Sequence, residues 1–334
     1  MESLDIISNL PEQVICTILD HLPISDAVRT SLLSNNWRYK WTFIPNLVFN
    51  ERNICSYTDD HNLRTYKLVN FVDRVLLRHK GFIHKFELFT HTLKDYVIDS
   101  WILFLSQNRV KELVLTFPIG KTYEVLSSFF SCEAICYLKL FRCILKAPLI
   151  FKGFSDLRSL TLERVSLADE VLESMISSSI VLEKLVLRFI QLKGCSCIKI
   201  RAPNLEHFSL EGEFADICFI DTPHLSFVSI TLNGNVGDKS FGQGEISNLV
   251  RILGSLTGLE NLAIRGCFME FLAMRNLPKR LPITYNQLKS ISMEINFEDL
   301  NHTMVMQCLF QSSPNLQELE MVVSTLDSYV LVTL

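Results

Sequence analysis

The chain has 334 residues, 48% of them apolar and 20% charged, with 23 Phe and only 12 Gly, a composition that excludes disordered, collagen-like and linker-rich classes. Lys and Arg number 32 against 36 Asp and Glu, a net charge of -4, so no overall positive field gathers phosphate backbones and nucleic acid is not an expected partner. Mean hydropathy is +0.24, yet no run reaches the ~18 to 20 uninterrupted apolar residues of a membrane helix, and no membrane partner is expected.

Glu2 and Asp5 precede any apolar run and Pro11 follows, whereas a secretory leader needs basic residues, a longer apolar stretch and a small-residue cleavage site. The 10 cysteines are scattered among apolar neighbours, which predicts reduced, mostly buried thiols and a cytoplasmic or nuclear location. The sequon Asn301-His302-Thr303 then meets no glycosylating enzyme.

From residue 5 to residue 41 apolar residues recur at helical spacing, and Pro11 and Pro23 break the run into short helices. Leu10, Pro11, Val14, Ile15, Ile18, Leu19, Leu22, Pro23, Ile24, Ala27, Val28 and Leu33, with Trp37 and Trp41, are more than about 45 residues can bury against themselves. Some of that surface therefore meets either the first repeat, as a cap, or another protein. Residues 51–61 are polar and mark a boundary, and residues 63–78, with Tyr66, Val69, Val72, Leu76 and Leu77, predict an amphipathic helix that caps the repeats.

An internal repeat fills the rest. Leu157-Arg-Ser-Leu160-Thr-Leu162, Leu182-Glu-Lys-Leu185-Val-Leu187 and Leu205-Glu-His-Phe208-Ser-Leu210 share one pattern, which recurs around Phe86, Leu113, Leu138, Val228, Leu262, Ile291 and Leu319 at steps of 20 to 34 residues. That period belongs to leucine-rich repeats: one short strand per unit, then a return segment that no unit buries alone. An α/β sheet whose strands share this pattern fits less well, because several steps are short and a βαβ unit needs about 30 residues or more. Residues 96–106 and 170–177 carry the spacing of return helices. Residues 233–244 hold 4 of the 12 glycines and predict a projecting loop.

Residues 5–46, from Asp5 and Leu10-Pro11-Glu12 through Leu22-Pro23-Ile24-Ser25-Asp26-Ala27-Val28 to Trp37-Arg38 and Trp41, resemble the F-box of plant F-box/LRR proteins. His79 to Phe86, Ser100 to Ile102 and Val110 to Leu115 look like the segments that follow in the F-box/FBD/LRR subgroup. The resemblance implies an α/β fold: a three-helix F-box over residues 1–50, a linker and capping helix over 51–81, and a leucine-rich-repeat solenoid over 82–334. Residues 312–334 resemble only the start of an FBD region, as in a shortened form.

It also implies a non-catalytic subunit of an SCF-type ubiquitin ligase, without a cofactor or metal. The F-box binds a Skp1-like adaptor, and through it cullin and RING subunits, while the repeats hold a protein substrate. Carried over by position, the adaptor contacts are Leu10, Pro11, Ile15, Ile18, Leu19, Leu22, Pro23, Ile24, Ala27, Val28, Leu33 and Trp37. Asn35 and Asn36 depart from the basic pair that relatives commonly carry. On the repeats, the variable strand positions point to the concave side, which selects Lys139, Phe141, Thr161, Glu163, Lys184, Arg188, His207, Glu211, Phe227 and Arg265 as substrate contacts. The competing reading is a non-degradative repeat protein that occupies its target or acts as a scaffold, its first segment serving only as a cap.

Motifs for chemistry are incomplete. Gly120-Lys121-Thr122 ends like a phosphate loop, but Leu115 stands where the first glycine is needed. Cys195-x-Cys197 has neither a second pair nor histidines at ligand spacing.

Overall fold

Alternate side chains of an extended strand fall on opposite faces, so each Leu-x-x-Leu-x-Leu segment becomes a strand with one buried and one open face. The computed structural model describes residues 7, 10–55, 60–90, 95–117, 122–193, 197–234, 247–274, 277–324 and 329–333. Residues 235–246 of the glycine-rich insertion, Gly120, Lys121 and Cys195 lie outside them. The chain divides into two units, residues 1–149 and 150–334.

The first unit runs α1 (Glu12–Asp20), α2 (Ile24–Arg29), β1 (Asn46–Asn50), α3 (Glu51–Ile54), α4 (His61–Arg78), β2 (Lys85–Phe89), α5 (Asp95–Ser106), β3 (Glu112–Thr116), β4 (Tyr123–Val125), β5 (Tyr137–Phe141) and β6 (Cys143–Leu145). Strands β1, β2, β3 and β5 pair in parallel with Leu47, Phe86, Leu113 and Leu138 in register, and β4 pairs with β6. The sheet starts earlier than the repeat count predicts. Ile44-Pro-Asn-Leu47-Val-Phe49 is itself a repeat segment, so α4 connects β1 to β2 instead of preceding the first strand. Its inward stripe is Leu68, Val72, Val75 and Leu76, while Tyr66 and Leu77 of the predicted stripe are exposed. The third helical segment of the N-terminal region takes the form of two 3-10 turns, Thr30–Leu32 and Lys40–Phe43. Ser34, Asn35 and Asn36 between them offer side-chain bonds that compete with a helix.

Polar ties fasten the return segments. The Trp101 indole donates to Asp73 at 2.7 Å, and the Tyr123 hydroxyl donates to Asp99 at 2.6 Å.

The second unit runs β7 (Ser159–Glu163), β8 (Ser166–Ala168), α6 (Asp169–Ser177), β9 (Lys184–Arg188), β10 (Gln191–Lys193), β11 (Ile198–Arg201), β12 (His207–Gly212), β13 (Ile217–Ile220), β14 (Phe227–Leu232), α7 (Asn248–Leu253), β15 (Asn261–Gly266), α8 (Phe268–Ala273), β16 (Ser290–Ile295), α9 (Leu300–Ser312), β17 (Glu318–Ser324) and β18 (Tyr329–Thr333). Leu160, Leu185, Phe208, Val228, Leu262, Ile291 and Leu319 stand in one parallel register, and β18 closes antiparallel on β17. The sheet is open, not a barrel. At the start of each strand one carbonyl takes two amides of the next repeat: Glu183 O accepts from Glu206 and His207, and Glu206 O from Ser226 and Phe227. At the strand ends Arg164, Phe189, Gly212 and Gly266 have positive φ, a left-handed corner that redirects the chain toward the return segment.

No described helix is long and apolar enough to cross a membrane.

Candidate functional site

The N-terminal segment builds a two-sided helix. Pro11 and Pro23, with φ of -56 and -53°, stand at the starts of α1 and α2, where a fixed φ and a missing N–H cost nothing. One flank of α1, Ile15 and Leu19, is buried. The adjacent flank repeats the same i, i+4 spacing with Leu10, Val14 and Ile18, and leaves Val14 and Ile18 exposed. Beyond α2, Leu32 is 88% exposed and Leu33 is also open. Lys40 forms an ion pair with Glu12, a hydrogen bond and opposite charge that hold the Glu12 carboxyl below its usual range.

Of the twelve residues expected to touch an adaptor, Leu10, Pro11, Ile18, Leu22, Pro23, Val28 and Leu33 are exposed or half-buried. The other five lie on the covered side. Ile15, Leu19, Ile24, Ala27 and Trp37 are covered by this chain, and a fully covered side chain presents no surface to a partner. They form the floor beneath the open flank, and the Trp37 indole donates to Ile7 O at 3.0 Å. Val14 and Leu32 join the open set; the spacing of Val14 from Leu10 and Ile18 was its signal.

The ten repeat-face residues lie on strand positions that alternate with the core. Lys139 and Phe141 belong to the first unit, where the Arg142 guanidinium sits 5.1 Å from the Phe141 ring centre. In the second unit the register aligns Lys184, His207 and Phe227 in one row, and Arg188 beside Glu211 in another. His207 stacks on Phe227 at 4.2 Å and 6°, and Arg188 meets Glu211 at 3.6 Å. Burial and then the Lys184 charge lower the His207 pKa, so its neutral form is favoured. Thr161, Glu163 and Arg265 complete the same face, whereas Val186 between them is buried.

Among the described residues one group of potential metal ligands comes together, Glu270, Asp299 and His302. His302 Nδ1 accepts the Asn296 amide at 3.0 Å, which in the neutral ring puts the proton on Nε2. That nitrogen lies 3.8 Å from Asp299 and 3.9 Å from Glu270, and a protonated nitrogen donates instead of ligating. A cavity of about 260 Å³ among Ile190, Leu192, Ile198, Leu210 and Phe214 has two rim carboxylates already committed, Glu211 to Arg188 and Asp216 to Arg251.

Short proline-started helices with an open apolar flank, running directly into in-register Leu-x-x-Leu-x-Leu strands, define the class: an F-box joined to leucine-rich repeats. The F-box domain model matches residues 7–48, and the model for the LRR repeats of the FBD-associated F-box protein At5g56370 matches residues 98–321. F-box/FBD/LRR-repeat protein At1g13570 of Arabidopsis thaliana is 40% identical over 334 residues, 99% of this chain and 79% of the relative. F-box/FBD/LRR-repeat protein At5g53840 and the putative FBD-associated F-box protein At5g53635, from the same plant, are 27% and 31% identical over 88% and 70% of the chain. The chain spans 65% and 55% of their respective lengths. The chain belongs to the F-box/FBD/LRR-repeat family.

Proposed function

We propose that this chain is the substrate-receptor subunit of an SCF-type cullin-RING ubiquitin ligase, working in the cytoplasm or nucleus and catalysing nothing itself. The open flank of α1, with Leu10, Pro11, Val14, Ile18 and Leu22, continues through Val28 to Leu32 and Leu33 and lies in a groove of a Skp1-like adaptor. Ile15, Leu19, Ile24, Ala27 and Trp37 hold those helices rigid, so little ordering entropy is lost on docking. A protein substrate lies across the strand face, where His207, Phe227 and the mixed charges of Lys184, Arg188, Glu211 and Arg265 offer both polar and apolar contacts. The adaptor connects that substrate to cullin and RING subunits.

The observation that carries this reading is the unequal use of α1: two adjacent flanks are apolar, and the chain covers only one of them. The test is reconstitution of the full chain with a Skp1-like protein, a cullin and a RING subunit. Joint replacement of Leu10 and Pro11 by alanine should abolish co-purification with the adaptor and leave the repeats folded. Failure of the wild type to co-purify with the adaptor would instead favour a non-degradative repeat protein, and undiminished co-purification of the double variant would show that the open flank of α1 is not the contact.

A further inference from the structure

A second cluster of exposed apolar groups lies in the first unit and uses none of the residues on the open flank of α1. The chain leaving α4 runs back along the 3-10 turn Lys40–Phe43. The amides of Lys80 and Gly81 both donate to Thr42 O, at 2.9 and 3.4 Å. The ring nitrogen Nε2 of His79 is 2.9 Å from Ile44 O. Gly81 passes so near that a Cβ there would stand 3.2 Å from Phe43 O. Around this backbone contact Tyr39 and Phe43 on one segment and Leu77 and Phe82 on the other are all exposed, Leu77 84% and Phe82 72%. Four large exposed apolar side chains on two segments in backbone contact form the kind of patch that soluble chains bury against a partner.

Its charge is one-sided. Arg74 and Arg78 are one helical turn apart on α4, both exposed, and neither side chain makes an ion pair among the described residues. The Lys80 ammonium sits 5.9 Å from the Tyr39 ring centre. The carboxylate beside Arg74 in sequence, Asp73, is committed to the Trp101 indole, and Glu12 is committed to Lys40 of the 3-10 turn. Like charges at i, i+4 weaken a helix by a few tenths of a kcal/mol, so the uncompensated pair is a local liability in the free chain.

We propose that this patch is a second docking surface, and that its occupant is an acidic polypeptide segment carrying large apolar side chains. The apolar residues supply the contact and Arg74, Arg78 and Lys80 select the charge. A membrane fits less well, since lipid-directed segments cluster about 4 to 8 basic residues. Nucleic acid fits less well too, because tight phosphate binding rests on about 6 to 10 contacts. The surface serves the chain whether or not the α1 flank holds an adaptor.

The test is fluorescence anisotropy on the full chain with a labelled peptide of about 15 residues, in which glutamates alternate at helical spacing with Leu and Phe. The wild type should bind it, and added salt should weaken binding. Replacing Leu77 and Phe82 together by serine, or Arg74 and Arg78 together by glutamate, should weaken binding by about tenfold or more at unchanged melting temperature. Leu32→Asp, on the other surface, should leave it intact. A peptide with every Glu replaced by Gln should bind far less. Equal binding by the double variants would overturn the proposal, as would preference for phosphatidylserine vesicles or a single-stranded oligonucleotide. Binding that requires removal of residues 1–6 would overturn it as well, by making the chain's own first residues the occupant.

Discussion

Leu32 and Ile15 separate the roles of docking and folding. Full burial of a leucine side chain is worth about 1.5 to 3 kcal/mol, and Leu32, 88% exposed, has nearly all of it still to gain. Leu32→Ala should therefore weaken binding of a Skp1-like protein by about 1.5 to 2.5 kcal/mol, or roughly 10- to 70-fold. Ile18, 38% exposed, has about a third of that gain available, so Ile18→Ala should cost about 0.5 to 1 kcal/mol, or two- to fivefold. Ile15 is fully buried, and Ile15→Ala should cost about 2 to 5 kcal/mol of folding stability instead. Titration calorimetry with the adaptor gives the affinities, and scanning calorimetry gives the melting temperatures. Leu32→Ala should melt with the wild type, while Ile15→Ala should melt several degrees lower. The reasoning fails if Leu32→Ala binds like the wild type, or if it lowers the melting temperature as much as Ile15→Ala.

Gly153 has φ of 98°, and a Cβ there would stand 2.3 Å from Ser174 O; Gly153→Ala should lower stability by at least about 2 kcal/mol in urea unfolding. Burial pushes the Cys132 thiol up to about 12 and raises Cys143 as well. Iodoacetamide at mildly alkaline pH should thus spare both in the native chain and label exposed Cys16, with Cys132 and Cys143 reacting only after unfolding. His207 has a lowered folded pKa, so the unfolded chain takes up the proton first as pH falls. Stability should decline below about pH 6.5, the ordinary histidine value, until the folded ring also titrates. His207→Gln should flatten that decline in denaturation series between pH 7 and 5.

Periodicity made the repeat strands legible, because each anchor from Phe86 to Leu319 had to face the core of its own unit and a slip of one residue would reverse its strand. Residues 96–106 and 170–177 likewise became α5 and α6, within one residue of the structure. Leu47 is hard to recognise from sequence because its segment holds Pro45 and follows a helical run, which makes it look like the end of the first region. The two flanks of α1 share one spacing, and which of them turns inward is settled where α1 packs on the turn Lys40–Phe43, some 20 residues later. The left-handed corners at Arg142, Arg164 and Phe189 carry no glycine to announce them. His207 and Phe227 stack only because neighbouring repeats align, which no local window of sequence contains.

Hydrogen exchange of the full chain, alone and with a Skp1-like protein, tests the central claim most directly. Slowed exchange within residues 10–33, with the strands from Lys184 to Leu232 unchanged, is the predicted footprint. An adaptor that forms no complex, or that protects the repeat strands while leaving α1 and Thr30–Leu32 as before, would contradict it.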